Sequence, residues 1–512
     1  MSILGISAGF HDAAVTLVND GEIVFAGHAE RYSKIKHDKN LNELILQDAI
    51  SYGSPDKIAY YERPWVKKTR QLYSGQYKDL LTDWSVSGML KRAAPALNLH
   101  KLPIKTYNHH LSHAAAGFQT SVFDQATVVV IDAIGEWDTI SIWSAGYDKK
   151  GVATYKKLWG QYYPHSIGLM YSAFTHQVGL RPMDEEYILM GMSGYSTKVG
   201  IGHRFGEWLL EPTFDVNTNA DIKFRHNLHI GLPTNPNSHY SAIHNTLYYL
   251  TEYDIAHGAQ ELAETLINDV MHTASKLDTT GNLVYMGGVA LNCLANRNLG
   301  NWFNDIWVMP NPGDAGSSLG AAALAYGKQL NWKDAYLGHN MQGEYPVRDI
   351  ISELLTNKIV GVANGRAEFG PRALGNRSLL ADPRGSEIKD KVNDIKRRQQ
   401  FRPFAPVILE EYAHEYFKMP SGFDTSPYMQ TVATCLQPDK FPAIIHVDGT
   451  SRVQTVPKDC TSGIRQLLEA WNLWTGCPML LNTSLNIRGE PMVNDRADAD
   501  RFEELYNVKV LT

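Results

Sequence analysis

Twenty residues, Gly365 to Arg384, carry four arginines, three glycines and two prolines. The glycines let the backbone turn tightly and approach a ligand closely, and the stretch reads as a loop. Just upstream, Lys358-Ile359-Val360-Gly361-Val362-Ala363 is a short apolar run rich in β-branched residues, which predicts a buried strand. The loop therefore leaves the end of a strand, which points to a layered α/β fold. Planar guanidinium forks match phosphate and carboxylate oxygens, so Arg366, Arg372 and Arg377 are candidates for an anion-binding loop. By itself such a block is more often a solvated, charged turn.

The chain begins with two predicted strands, Ile3–Ala8 and Ala14–Val18, around the turn Gly9-Phe10-His11-Asp12. Asn19-Asp20-Gly21 then makes a hairpin into Glu22–Ala26. His11 sits on the first turn, where a ring could face either a cleft or solvent. Tyr107–Ala116 ends in alanines and predicts a helix that sets His109 and His113 one turn apart on one face. Such a pair suits one transition-metal ion, or is a chance surface pair. Asp132 follows the apolar run Thr127–Ile131, and Asp314 follows the run Ile306–Met309. A carboxylate after a buried strand lies at the mouth of an α/β sheet.

Asp254–Leu277 has apolar residues at helical spacing and predicts an amphipathic helix before the strand Asn282–Met286. Gly287-Gly288 then lets a ligand lie against backbone, or serves as a packing turn. Residues from Leu337 to Asp349 read as loop, which sets a division into 1–344 and 345–512. Beyond it come the helix Ser386–Lys396, a basic run from Arg397 to Arg402 with the look of a solvated helix end, and two segments bearing Arg452 and Arg488. The tail past Val493 reads as polar, without a further domain. The text holds no repeat, heptad run or low-complexity stretch.

A length of 512 residues exceeds one ordinary core and predicts two or more domains. A formal charge of −6 argues mildly against duplex nucleic acid as a partner. Cys293, Cys435, Cys460 and Cys477 form no CxxC or zinc spacing, as expected of a reduced, cytoplasmic setting. No apolar run approaches the roughly 20 residues of a membrane helix.

The stretch Glu-Phe-Gly-Pro-Arg-Ala-Leu-Gly-Asn-Arg-Ser, residues 368–378, resembles the signature of the NodU/CmcH family of O-carbamoyltransferases, and the likeness runs from Gly5 to about Val493. It implies an actin-like (ASKHA) two-lobed domain followed by a YrdC-like α/β domain. The implied activity forms carbamoyl-adenylate from carbamoyl phosphate and ATP with Mg²⁺, then carbamoylates a hydroxyl of a small molecule, sugar or nucleoside. It gives His11 the role of general base. His109, His113, Asp132 and Asp314 become ligands of a metal, Fe(II) in related proteins, with Mn or Zn also compatible. Gly287, Gly288 and Asn292 would hold the nucleotide, with Asn482, Ser484 and Asn486 as further contacts. Lys396, Arg452 and Arg488 would hold carbamoyl phosphate. The chain departs from the family at Ile188, where a lysine is usual. The acceptor, the metal and the oligomeric state, a homodimer included, stay open. Two other readings are a tRNA threonylcarbamoyl-adenosine-type transferase, which lacks the arginine block, and a nucleotide-binding actin-like module without transfer activity.

Overall fold

The computed structural model describes residues 1–77, 85–211, 221–233, 247–278 and 280–512. Parts of the stretch 182–245 lie outside them. Strands β1 (Ser2–Ser7), β2 (Ala14–Asn19) and β3 (Glu22–His28) form an antiparallel meander. After them β4 (Lys57–Tyr60) joins parallel to β1, helix α1 (Pro64–Tyr73) follows, and β5 (Ile104–Thr106) joins parallel to β4. The first sheet therefore runs β3-β2-β1-β4-β5.

Helix α2 (His109–Phe118) leads to a second sheet with the same wiring. Strands β6 (Gln125–Gly135), β7 (Asp138–Tyr147) and β8 (Ala153–Tyr162) form its meander. Next come helix α3 (Glu186–Met192) and the long helix α4 (Glu252–Leu277), which a Thr251/Asp254 capping box starts. Strands β9 (Asn282–Met286) and β10 (Asp305–Trp307) then add in parallel, giving β10-β9-β6-β7-β8. The duplication is invisible in the sequence, because wiring depends on where chains turn and not on which apolar residue fills each strand.

Helix α5 (Ser317–Tyr326) lies against α2 between the two sheets, and Leu319, Ala321, Ala322 and Ala323 join Ala114–Ala116 in a buried core there. The crossing is close: a Cβ at Gly320 would stand 1.8 Å from the Ser112 carbonyl oxygen. On the far face of the second sheet, Ile255, Leu262, Leu266 and Val270 of α4 fill another core.

Strand β11 (Tyr336–Met341) replaces the loop expected from Leu337. It pairs antiparallel with β13 (Gly365–Glu368), which follows helix α6 (Val347–Asn357) and β12 (Ile359–Ala363). Further on lie β14 (Arg377–Ala381), α7 (Ser386–Ile395), β15 (Ala405–Leu409), β16 (Phe417–Lys418), β17 (Ala433–Cys435), β18 (Thr450–Ser451), β19 (Gln454–Val456), α8 (Ile464–Thr475) and β20 (Met479–Ser484). The tail forms α9 (Arg496–Tyr506) and β21 (Val510–Leu511), where the polar text suggested nothing further. Strand β21 lies parallel to β12 at the edge of a six-stranded sheet, β19-β15-β20-β14-β12-β21. Apolar residues of α7 and α9 cover one face of this sheet and those of α6 and α8 the other. Among the described residues, no helix is long and apolar enough to cross a membrane.

Candidate functional site

Two clusters of chemistry-bearing side chains stand out, and the first gathers at the ends of β6 and α2. Asn108 caps α2 through the Leu111 N–H, 2.9 Å away, and so fixes where His109 and His113 begin the helix. The Nε2 atoms of His109 and His113 lie 3.1 Å apart. His109 Nε2 is 3.3 Å from Asp132 Oδ2 and 3.3 Å from Asp314 Oδ1. His113 Nε2 is 3.6 Å and 3.3 Å from the same two oxygens. His113 Nδ1 donates to the Pro312 carbonyl at 3.0 Å, which turns the lone pair of Nε2 toward the others. Strand β6 does not stop at Asp132 as expected. It runs on to Gly135, but its pairing with β7 slips after Ile131, and the slip frees Asp132 to turn inward.

The donor set fits a divalent transition metal. Four donors about 2.1 Å from one ion at tetrahedral angles stand about 3.4 Å apart, close to the spacings here. Asp314 Oδ2 is buried with no hydrogen-bond partner, and two imidazole nitrogens face each other at 3.1 Å. Burial works against charge on His109 and His113, yet the Asp132 and Asp314 carboxylates prevail and hold both rings above the usual histidine range. His110 points away, to Ser141 Oγ at 2.7 Å.

His11 lies in the β1–β2 turn with Nε2 3.8 Å from Asp314 Oδ2. Its Nδ1 is 2.9 Å from Asp12 Oδ2. Burial lowers its basicity, but Asp314 and Asp12 raise the ring to about 9. From Asp12 a chain of contacts continues that the sequence reading missed. Asp12 Oδ1 is 2.7 Å from His37 Nδ1, and His37 Nε2 is 2.8 Å from Asp184 Oδ1. Asp184 also receives Lys36 and Arg181, each at 2.9 Å. Glu62 was missed too; its carboxylate is 3.7 Å from His109 Nδ1 and takes Lys67 at 2.8 Å.

The second cluster surrounds Tyr187 of α3. The Arg402 guanidinium sits 4.8 Å above its ring, and Arg398 sits 4.2 Å above Phe404. Burial, then Arg452, pulls Arg372 down to about 9, and burial with Arg402 and Arg452 pulls Arg398 well below its usual range. Arg452 Nε is buried with no partner. Among the described residues, Arg372, Arg398, Arg402 and Arg452 have no carboxylate at ion-pair distance, whereas Arg488 reaches Glu185 at 2.6 Å. Lys396 donates to the Ser484 carbonyl, to Ser484 Oγ at 3.1 Å and to Asn486 Oδ1 at 2.9 Å. Burial beside Arg398 and Arg402 holds its ammonium well below the usual lysine range.

Several expected contacts lie elsewhere. Arg366 donates to the carbonyls of Val24, Leu337 and Gly338 and covers Tyr52. Arg377 is fully buried and donates to the carbonyls of His339, Asn364, Gly365, Asn376 and Asn494. Both forks are saturated by backbone, which leaves Arg372 as the loop's contribution to the cluster. Asn292 caps the next short helix and exchanges two hydrogen bonds with Gln260, so its amide is not free for a nucleotide. Asn482 is buried and donates to Ala373 and Gln454. The Gly287–Gly288 turn serves the first cluster, since the Gly288 N–H donates to Asp132 Oδ1 at 3.2 Å. At Gly287, with φ +92°, a Cβ would meet the Ile131 carbonyl oxygen at 2.1 Å. Ile188 is buried in the core beneath α4, and its neighbour Tyr187 faces the arginines. The basic run Arg397–Arg402, expected to be solvated, supplies two members of the cluster; the aromatic Phe401 and Phe404 beside it were the available signal.

The profile described as "Carbamoyltransferase N-terminus" matches residues 2–60 and 61–323, and that described as "Carbamoyltransferase C-terminus" matches residues 351–512. This chain belongs to the carbamoyltransferase family. The carbamoyltransferase is 33% identical to "Uncharacterized protein sll1178" of Synechocystis sp., over 98% of its own length and 93% of the relative's. It is 31% identical to "Nodulation protein NolNO" of Sinorhizobium fredii, over 96% and 76% of the two chains. With "Nodulation protein U" of Bradyrhizobium diazoefficiens it shares 30% identity over 99% and 96%.

Proposed function

We propose that this enzyme activates carbamoyl phosphate with ATP in its second part, residues 345–512, and transfers the carbamoyl group to a hydroxyl in its first, residues 1–344. The observation that carries the reading is the set of uncompensated guanidiniums around Tyr187. Four buried or half-buried cations without a carboxylate need an anion, and a polyphosphate supplies it. The repeated wiring of the first two sheets supports an actin-like unit, and the six-stranded sheet is read as a YrdC-like one.

Water releases phosphate from carbamoyl phosphate. An oxygen of the resulting carbamate attacks the α-phosphorus of ATP, pyrophosphate leaves, and carbamoyl-adenylate forms. Arg372, Arg398, Arg402, Arg452 and Arg488 stabilise the phosphoryl charge, alongside the Mg²⁺ carried by ATP. Ser484 and Asn486 hold Lys396 toward the same charge. The adenylate then passes inside the protein to His11, because a mixed anhydride in water would hydrolyse. His109, His113, Asp132 and Asp314 would hold the metal, of the Fe(II), Mn or Zn type. When bound, it supplies Lewis acidity and neutralises the carboxylates that otherwise keep His11 charged. His11 takes the proton of the acceptor hydroxyl as its oxygen attacks the carbamoyl carbon and AMP departs. Asp12 holds the His11 ring by Nδ1 and is itself braced by His37.

Pyrophosphate release and carbamoylated product can be followed separately. Arg452→Ala should suppress pyrophosphate release by roughly 10²–10³-fold. The same variant should carbamoylate normally when synthetic carbamoyl-adenylate is supplied. Failure of the supplied adenylate to rescue it would refute one catalytic step per part.

A further inference from the structure

The two clusters are joined by an unbroken run of side chains. Arg488 reaches Glu185 Oε1 through Nη2 at 2.6 Å and through Nε at 3.3 Å. The Arg181 guanidinium lies 3.7 Å from that same oxygen and 2.9 Å from Asp184 Oδ2. Asp184 Oδ1 meets His37 Nε2 at 2.8 Å, and His37 Nδ1 meets Asp12, which holds His11. Each link from the arginines to the His11 turn thus joins a basic group to a carboxylate. Arg181 is the middle member.

That member is shared unequally. Arg181 stands at hydrogen-bond distance from Asp184 and beyond it from Glu185, because Arg488 takes the Glu185 oxygen first. The Glu185 side chain is only 4% exposed, so its charge needs a cation whichever arginine supplies it. Its Oε2 accepts from the Arg181 backbone N–H at 3.0 Å, which fixes the carboxylate while the two guanidiniums compete for Oε1. Between the competing carboxylates and their arginine, Met183 holds φ +61°, uncommon for its type. Such outliers gather at segments that switch.

A polyphosphate offers Arg488 several charged oxygens where Glu185 offers one. Once Arg488 turns to it, Glu185 has lost its nearest cation and Arg181 has only a short way to travel. Asp184 is then left with Lys36, at 2.9 Å, and His37. With one competitor fewer it grips His37 more firmly, and His37 steadies Asp12 against His11. We propose that Arg181 is a positioning residue that couples the two sites by this exchange: an anion on Arg488 moves Arg181 from Asp184 to Glu185 and seats the His11 turn. The exchange rests on the reading of the arginines as an anion site and carries their occupancy to the other cluster. Coupling of this kind is reciprocal, so His37 must in turn affect anion affinity.

Isothermal titration calorimetry with pyrophosphate, on the whole protein without ATP, carbamoyl phosphate or acceptor, tests it. Glu185→Gln frees Arg488 and should bind pyrophosphate about tenfold more tightly, within the usual range of site-to-site coupling. His37→Ala should bind it about fivefold more weakly, since Asp184 then depends on Arg181 and releases it less readily. In an Arg181→Gln background, His37→Ala should change nothing. The Arg181 side chain is 62% exposed, so its replacement removes no core, and circular dichroism verifies the fold of each variant. Should Glu185→Gln fail to fold, the cycle between positions 37 and 181 decides alone. Simple loss of positive charge at position 37 would weaken binding equally in both backgrounds, and that result overturns the proposal. Unchanged affinity in His37→Ala or in folded Glu185→Gln overturns it too. Wild-type protein that binds no pyrophosphate would sink the anion-site reading and the exchange together, whereas binding indifferent to His37 would sink the exchange alone.

Discussion

At the His109–Asp314 cluster each buried charge faces an opposite one within 3.6 Å, whereas around Tyr187 the guanidiniums of Arg372, Arg398, Arg402 and Arg452 face one another. In the first, two imidazoles and two carboxylates offset one another. In the second, no carboxylate among the described residues pairs with these four guanidiniums. Burying like charges costs stability unless an opposite charge offsets it. On the proposed reading, the first cluster takes a cation and the second an anion.

The largest expected effect is all-or-none. The purified enzyme should hold about one transition-metal ion per chain, and His109→Ala or Asp314→Ala should each reduce it to background by elemental analysis. Arg452→Ala should keep its ion. A full complement of metal in His109→Ala would dissolve the first half of the comparison.

Next in size is His11. His11→Ala should still bind metal and release pyrophosphate, while transfer falls by roughly 10²–10⁴-fold. Transfer near the wild-type rate would leave the ring without a catalytic part.

A milder test uses pyrophosphate alone. At a concentration far above its Kd it should raise Tm by several degrees, since about 100-fold excess stabilises by about 2.7 kcal/mol. Arg402→Ala should lose most of that rise and His113→Ala should keep it. Equal shifts in both variants would mean that the anion does not distinguish the clusters.

The smallest effect concerns His37, which Asp12 and Asp184 raise to about 10 against the cost of burial. A group raised above its unfolded value of about 6.5 stabilises fully below that pH, and the gain is lost as pH climbs through about 10. The unfolding free energy of the wild type should thus fall between pH 7 and 10 more steeply than that of His37→Gln. Because Asp12 also contacts His11, the difference between the curves reports the Asp12–His37–Asp184 chain as a unit. Parallel curves would show that the Asp12–His37–Asp184 chain adds no stability.

How much of this the sequence disclosed follows from distance along the chain. His109 and His113 share a helix face, so a local period reveals them. Asp132 and Asp314 each follow an apolar run, so their type and position suffice. Asp12, His37 and Asp184 come from three separated segments, and no spacing links them. The arginines teach a harder lesson. Arg366, Arg372 and Arg377 look alike in one motif, yet two are saturated by carbonyls and one faces other cations. Only the surrounding backbone decides which, and backbone proximity is a tertiary fact. Likewise β11 escaped notice because it is half-buried, with Gly338, His339 and Asn340 at its centre, residues that resemble a turn.

The edge pairing of Val510 and Leu511 with Gly361 and Val362 bears on the order of assembly. Its partners are 149 positions apart (510 − 361), whereas β1 meets β2 across a turn of a few residues. Contacts between remote segments wait on the closure of long loops, while neighbours find each other early. Arg372, Arg398, Arg402, Arg452 and Arg488 all lie within that interval. The strand pair that closes the sheet edge thus brackets in sequence every arginine of the second cluster, so the edge and the cluster belong to one long-range unit of the fold.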